Sequence, residues 1–274
     1  MTEFREDSGP GRVLVTDGEF KHTLGIVRSL AARGHEVHLL AQSSRAPATH
    51  SRAVTRWYPA PASGSSGFEP RLAQLLGTLK PLSLVPVGSG AMGAVHRMRD
   101  SLPSGVAVAL PPAASYETAN EKARTAVAAR TIGLATPSEL LVANLDQARR
   151  AFGALGSPMV LKSAREEGIK ALRYVRTDDG LEPAYEAVRA LASGAMLAQE
   201  CVSGDGYGFS ALYWHGRRVR HCMHRRVREW PPSGGTSACA ESLPECPELE
   251  RAGTALLDAL QWHGVAMVEF KGEP

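Results

Sequence analysis

Pro158-Met159-Val160-Leu161-Lys162 is a run of three apolar residues opened by a proline and closed by a lysine. A proline at the first position of a strand removes no hydrogen bond that the ladder needs, so the run reads as a strand. A strand residue that follows three apolar neighbours is expected to be at least partly buried, and a buried ammonium requires an anionic partner. A phosphate group would serve. The alternative is that the aliphatic stem of Lys162 snorkels from the strand end and carries its charge to water.

Toward the C-terminus, Met196-Leu197-Ala198-Gln199-Glu200-Cys201-Val202 is a second strand-like run that leads into the turn Ser203-Gly204-Asp205-Gly206-Tyr207-Gly208. A strand-to-loop hinge of this kind offers backbone N–H and C=O groups to an adenine edge, with Val202 and Leu161 as apolar faces. A plain hairpin turn is the competing reading. Further on, a period of two from Arg218 to Glu229 predicts Arg218, Arg220, Cys222, His224, Arg226 and Arg228 on one cationic face. That strand runs into the glycine-bearing stretch Pro231-Pro232-Ser233-Gly234-Gly235-Thr236-Ser237. Arginines suit planar, bidentate recognition of carboxylate and phosphate, so an anionic substrate or a triphosphate fits this face. A nucleic-acid strip is the rival, and it lacks interleaved aromatics or a known nucleic-acid module. An edge strand in solvent is the plain account of Arg218 and Arg220. Finally, Glu269 lies in Met267-Val268-Glu269-Phe270, an apolar strand where a lone carboxylate is costly. Mg²⁺ bridging phosphate oxygens would satisfy it, and so would a salt bridge to one of the arginines.

Toward the N-terminus, Arg12 to Thr16 and Glu36 to Leu40 are strand-like runs flanking apolar residues at helical spacing (Leu24, Ile26, Val27, Leu30, Ala31), which is a βαβ unit. With strands at Val54 to Tyr58, Leu82 to Val87 and Val106 to Leu110, and helices at Pro70 to Leu79 and Ala91 to Leu102, residues 12–112 form a doubly wound α/β domain. Residues 1–11 read as a polar tail. After Pro111-Pro112 a helix is predicted from Tyr116 to Ile132, then an α+β subdomain over 113–195 and a strand-rich subdomain over 196–274. Gly88-Ser89-Gly90-Ala91-Met92-Gly93 satisfies the literal G-x-G-x-x-G pattern. It falls on a late strand, and no acidic residue ends the strand that follows, so small residues packing a helix on a sheet are the better account. No G-x-x-x-x-G-K-[ST] sequence is present.

Composition is permissive. The chain has 274 residues, of which 43% are hydrophobic and 22% charged, with a net charge of +3, and this gives little reason to expect a polyanionic partner. The four cysteines form no C-x-x-C pair and suggest reduced thiols in a cytoplasm. No apolar stretch approaches the roughly 18 residues of a membrane helix, so a soluble protein without a membrane partner is expected.

Together these segments resemble the ATP-grasp superfamily, in particular its carbamoyl-phosphate-synthase-like and carboxylate–amine ligase branches, from Arg12 to Lys271. Glu121-Lys122 followed by Gly133-Leu134-Ala135-Thr136-Pro137 is similar to the family's Asp-Lys, helix, Gly-Ile-Pro-x-Pro pattern. The resemblance implies an α/β N-terminal doubly wound domain followed by an α+β ATP-grasp fold. It implies ATP and Mg²⁺ as cofactors, and small-molecule carboxylate and amine substrates joined through an acylphosphate. Lys122, Lys162 and Ser163 would contact the nucleotide, Ser163 to Lys170 would close over its phosphates, and Gln199, Glu200, Cys201 and Val202 would hold adenine. Glu269 would ligate metal, and Arg226 and Arg228 would stabilise the acylphosphate or hold the acid. Tyr207-Gly208 stands where many members place a ribose-binding Glu, which leaves Asp205 as the nearest acidic candidate. The family continues into a strand bearing Glu-x-Asn, whereas this sequence stops at Gly272-Glu273-Pro274, so the fold and its metal site are expected to be incomplete here. A homodimer is compatible with this reading. A non-catalytic ATP-binding module and a nucleotide-sugar transferase-like protein are the alternatives.

Overall fold

The computed structural model describes residues 9–165, 171–192, 194–230 and 236–273. The expected tail up to residue 8, the phosphate-covering stretch 166–170 and the glycine stretch 231–235 lie outside the described residues. The chain divides into two compact units, one ending at Ala109 and one beginning at Leu110.

In the first unit the order is β1 (Arg12–Val15), α1 (Lys21–Ala31), β2 (Glu36–Ala41), β3 (Arg56–Pro59), α2 (Phe68–Leu79), β4 (Ser83–Val85) and α3 (Ser89–Arg97). All pairings are parallel and the sheet order is β3-β2-β1-β4. Parallel strands are covered on both faces, which is why Val13, Leu14 and Val15 are all buried and the run shows no alternation. The strand expected at Val106 to Leu110 shrinks to one bridge, Ala107 with Ser83. Pro111 and Pro112, just beyond it, have no N–H with which to extend a ladder. The glycines of the G-x-G-x-x-G stretch serve close packing of the chain on itself. A Cβ on Gly88 would lie 2.6 Å from the Phe20 ring, and one on Gly90 would lie 2.8 Å from the Ser63 hydroxyl. The Gly88 N–H donates to the buried Asp17 carboxylate at 2.9 Å.

The second unit opens on a helix that breaks. The single helix predicted from Tyr116 to Ile132 is α4 (Ala113–Asn120) followed by α5 (Lys122–Thr131). Glu121 between them is extended, at φ −112° and ψ 112°, and forms an antiparallel bridge with Arg165. Next come β5 (Glu139–Val142), α6 (Leu145–Leu155), β6 (Met159–Ser163), β7 (Leu172–Val175), α7 (Asp178–Arg189) and β8 (Met196–Glu200). The four strands form an antiparallel sheet in the order β5-β8-β6-β7. Met159, Leu161, Val175, Met196 and Ala198 join Ala148, Leu181 and Val188 of α6 and α7 in one core. The apolar run at β8 therefore pairs into this sheet, between β5 and β6. The run looked like the start of a strand-rich region because periodicity identifies strands but not their partners.

A second antiparallel sheet follows: β9 (Asp205–Trp214), β10 (Arg217–Trp230), β11 (Thr236–Leu243) and, after α8 (Pro247–Ala259), β12 (Gly264–Gly272), in the order β11-β10-β9-β12. One face packs on α8 through Phe209, Tyr213, Met223, Leu249 and Leu257. Gly253 of α8 makes this seam possible, since a Cβ there would sit 2.3 Å from Phe209 Cδ1. β11 lacks apolar alternation, and its pairing to the 14-residue β10 makes it a strand. Among the described residues no helix is long and apolar enough to cross a membrane.

Candidate functional site

On the first sheet, Lys162 pairs with Leu197 and Val160 with Gln199, so these residues share the face turned away from the α6/α7 core. The Lys162 ammonium is half-buried, as its strand position predicted, and donates to Gln199 Oε1 at 2.8 Å. Gln199 Nε2 in turn donates to Glu139 Oε2 at 2.9 Å. Lys122, the first residue of α5, is tied to the same end of β6. Its backbone N–H donates to Ala164 O at 3.0 Å and its ammonium to Arg165 O at 2.8 Å. Two lysines thus flank one strand end, held there because the chain breaks its helix at Glu121. Ser163 differs from its expected role. It lies on the opposite face, only 5% exposed, and its hydroxyl accepts from the Arg165 N–H at 3.3 Å. Glu200 is fixed by its N–H to Ser138 O at 2.9 Å, and Cys201 and Val202 lie between strands, outside the ladder.

On the second sheet, β-bulges break the cationic stripe. Arg218 pairs with Tyr213 and Arg220 with Leu212, neighbours on β9 that point to opposite faces. Arg218 accordingly meets Glu250 of α8 at 2.7 Å, and β10 is an interior strand of the sheet, not an edge. A second bulge follows at Val227. Arg226 pairs with Ala240 and Arg228 with Cys239, so these two arginines do not share a face as their spacing predicted. Asp205 also lies away from Arg226, on the Tyr207 face, and pairs with Arg225 at 3.4 Å.

The face opposite α8 carries Cys222, His224 and Arg226 from β10, Gly206 and Gly208 from β9, and Met267 and Glu269 from β12. The two glycines leave β9 bare, so β10 side chains lie across it. A Cβ on Gly206 would be 2.9 Å from Arg226 Cδ, and one on Gly208 would be 2.2 Å from His224 Cε1. Arg226 spans the gap to ion-pair with Glu269, and its other nitrogen contacts Glu229 at 3.2 Å. The salt bridge to an arginine, one of the partners open to Glu269, is present. Glu269 itself is 56% exposed, because alternate residues of β12 face away from α8, while Arg226 is only 16% exposed.

Tyr174 pairs with Val160 and so lies on the Lys162 face. Burial pushes its phenol up, with the charges of Cys201 and Glu229 adding to the effect, so Glu229 of one sheet acts on Tyr174 of the other. Lys162, Gln199 and Tyr174 thus share one face of the first sheet, and Arg226, Glu229 and Glu269 form an ion-paired group on the second. Glu139, Tyr174 and Glu229 were not singled out in the sequence. Glu229 stands three residues from Arg226, a spacing that pairs two strand residues only across a bulge. Among the described residues no three His, Cys, Asp or Glu side chains come together to hold a metal ion.

No family model matches the chain, and no curated protein matches it. Solved structures do. An ADP complex of purK, an N5-carboxyaminoimidazole ribonucleotide synthetase, is 13% identical with a TM-score of 0.72, covering 96% of this chain and 67% of its own. A biotin carboxylase-β-γ-ATP complex from Campylobacter jejuni is 13% identical with a TM-score of 0.76, covering 94% of this chain and 61% of its own. An L-amino acid ligase from Bacillus licheniformis is 17% identical with a TM-score of 0.70, covering 96% and 64%. The chain therefore spans about three fifths to two thirds of the length of these proteins. What they share with it is architecture, and by that architecture the chain has the ATP-grasp fold.

Proposed function

We propose that the chain binds ATP between its two antiparallel sheets and serves an ATP-dependent ligase that activates a carboxylate as an acylphosphate for attack by an amine. The observation that carries this reading is the placement of Lys162. Its ammonium is held on the sheet face turned away from the α6/α7 core, beside the Gln199 to Val202 hinge. Phosphoryl transfer is governed by positioning and charge neutralisation, which lysines and arginines supply. Lys162 and Lys122 hold the phosphates, and the backbone of Glu200 to Val202 takes the adenine edge. Arg226 stabilises the acylphosphate or holds the acid. Arg228 and Asp205, on the far face of the second sheet, are given no role, and Ser163 contributes by its backbone alone.

The donor chemistry suits Mg²⁺ carried in with the nucleotide: one exposed carboxylate, Glu269, fits an ion that takes most of its oxygens from phosphates and water. Such an ion would neutralise charge on the phosphates. The substrates are small molecules, a carboxylic acid and an amine, and a homodimer is the proposed assembly. The structural neighbours are a synthetase in complex with ADP, a carboxylase in complex with β-γ-ATP and a ligase, which supports the reading.

The test is thermal unfolding with and without ATP and Mg²⁺. A ligand at a hundredfold excess over its Kd stabilises a protein by about 2.7 kcal/mol. The parent chain should gain such a shift and Lys162→Ala should lose most of it. A parent whose unfolding ignores MgATP would overturn the nucleotide reading.

A further inference from the structure

Glu139 takes no part in the reading above, yet it sits at the end of a chain of three polar side chains. Lys162 donates to Gln199 Oε1 at 2.8 Å, and Gln199 Nε2 donates to Glu139 Oε2 at 2.9 Å. The chemistry allows one direction only. An ammonium has donors and no acceptor, and an ionised carboxylate has acceptors and no donor. The amide between them must therefore turn its NH₂ to Glu139 and its oxygen to Lys162. Without Glu139 the ammonium alone would hold the amide oxygen toward it, and the Gln199 NH₂ would lose the acceptor that anchors its other end. Glu139 comes from β5 and pairs directly with Gln199 on β8, so backbone register holds it in place. Its other oxygen, Oε1, is buried without a hydrogen-bond partner among the described residues. A carboxylate kept at that cost is doing more than filling space, which an apolar residue would do better.

We infer that Glu139 is a positioning residue: it anchors the Gln199 amide and thereby holds the Lys162 ammonium in place on its sheet face. This rests on the proposal that Lys162 contacts the phosphates of ATP. The role acts through Gln199 and predicts a specific rescue. In the exchange Glu139→Gln with Gln199→Glu, a carboxylate at 199 accepts from Lys162 and from the new amide at 139, so donors and acceptors match again.

The experiment uses the full chain and four proteins: the parent, Glu139→Leu, Gln199→Glu and the exchanged pair. Titration calorimetry with MgATP gives the affinity, and NMR of the Gln199 side-chain NH₂, assigned by its loss in Gln199→Glu, gives hydrogen exchange. Glu139→Leu should bind MgATP about tenfold more weakly than the parent, or about 1.4 kcal/mol. Its Gln199 amide should exchange faster, and the exchanged pair should return to within about threefold of parent affinity. Unchanged MgATP affinity in Glu139→Leu, or an exchanged pair no better than Glu139→Leu, would overturn the inference while leaving the nucleotide site intact. A parent that binds no MgATP would instead remove the functional reading. The amide exchange would still decide the orienting contact, equal exchange in parent and Glu139→Leu refuting it.

Discussion

Gly253→Ala changes one hydrogen to a methyl in the middle of α8, and the structure predicts a loss of stability where helix propensity predicts a gain. In an open helix this substitution is worth about 1 kcal/mol in favour of alanine. Here the new Cβ would stand 2.3 Å from Cδ1, 2.6 Å from Cγ and 3.0 Å from Cβ of Phe209. Phe209 is fully buried and pairs with both Met223 and Val268, so it has nowhere to go without moving β9. Overpacking costs about 1–3 kcal/mol, and a 2.3 Å approach to a ring with no room to move belongs in the upper part of that range, about 2–3 kcal/mol. The net expectation is destabilisation by about 1–2 kcal/mol, which for a unit of this size lowers Tm by roughly 2–8 °C. Gly77, in α2 of the other unit, is the matched control, since a Cβ there meets nothing within 4 Å. Gly77→Ala should stabilise by about 0.5–1 kcal/mol. Urea unfolding followed by circular dichroism measures both. A Gly253→Ala protein as stable as the parent, with Gly77→Ala behaving as expected, would refute the account of the α8–β9 seam.

The remaining predictions concern charge. Arg226→Met takes the guanidinium from between Glu229 and Glu269 and should destabilise by about 1–2 kcal/mol. In double-mutant cycles its coupling to Glu229, whose side chain is 20% exposed, should exceed its coupling to Glu269; equal couplings would contradict the burial argument. The His96 imidazole is pushed down to about 4 by burial, with Arg99 adding to the effect, so the folded state binds fewer protons than the unfolded one between about pH 6.5 and 4. Stability of the first unit should therefore be full above about pH 6.5 and fall as pH drops toward 4. His96→Leu should remove that part of the fall, as read from unfolding curves at a series of pH values, and an unchanged slope would sink the assignment.

Much of this protein is legible in one dimension. Val13 to Val15 and Met159 to Leu161 announce buried strands because apolar residues of that density have no other stable place. Lys162 is marked by its position at the end of such a run, and the hinge at Gln199 by a strand that stops before a glycine-rich turn. Local pattern determined these elements, their order and the choice of Lys162. Partners and faces were another matter. A bulge adds one residue to a strand and reverses every side chain beyond it, so whether Arg226 and Arg228 share a face depended on register with β11, which spacing along β10 does not record. Glu121 interrupts a helix because Arg165, 44 positions away, offers it a bridge. Glu269 looked buried by its neighbours and is exposed because only one face of β12 meets α8. Glu139 became meaningful only when β5 was paired with β8. Those decisions rest on contacts between residues far apart in sequence, and hydrogen bonds across strands are made in three dimensions, by whichever groups the packed chain brings within reach.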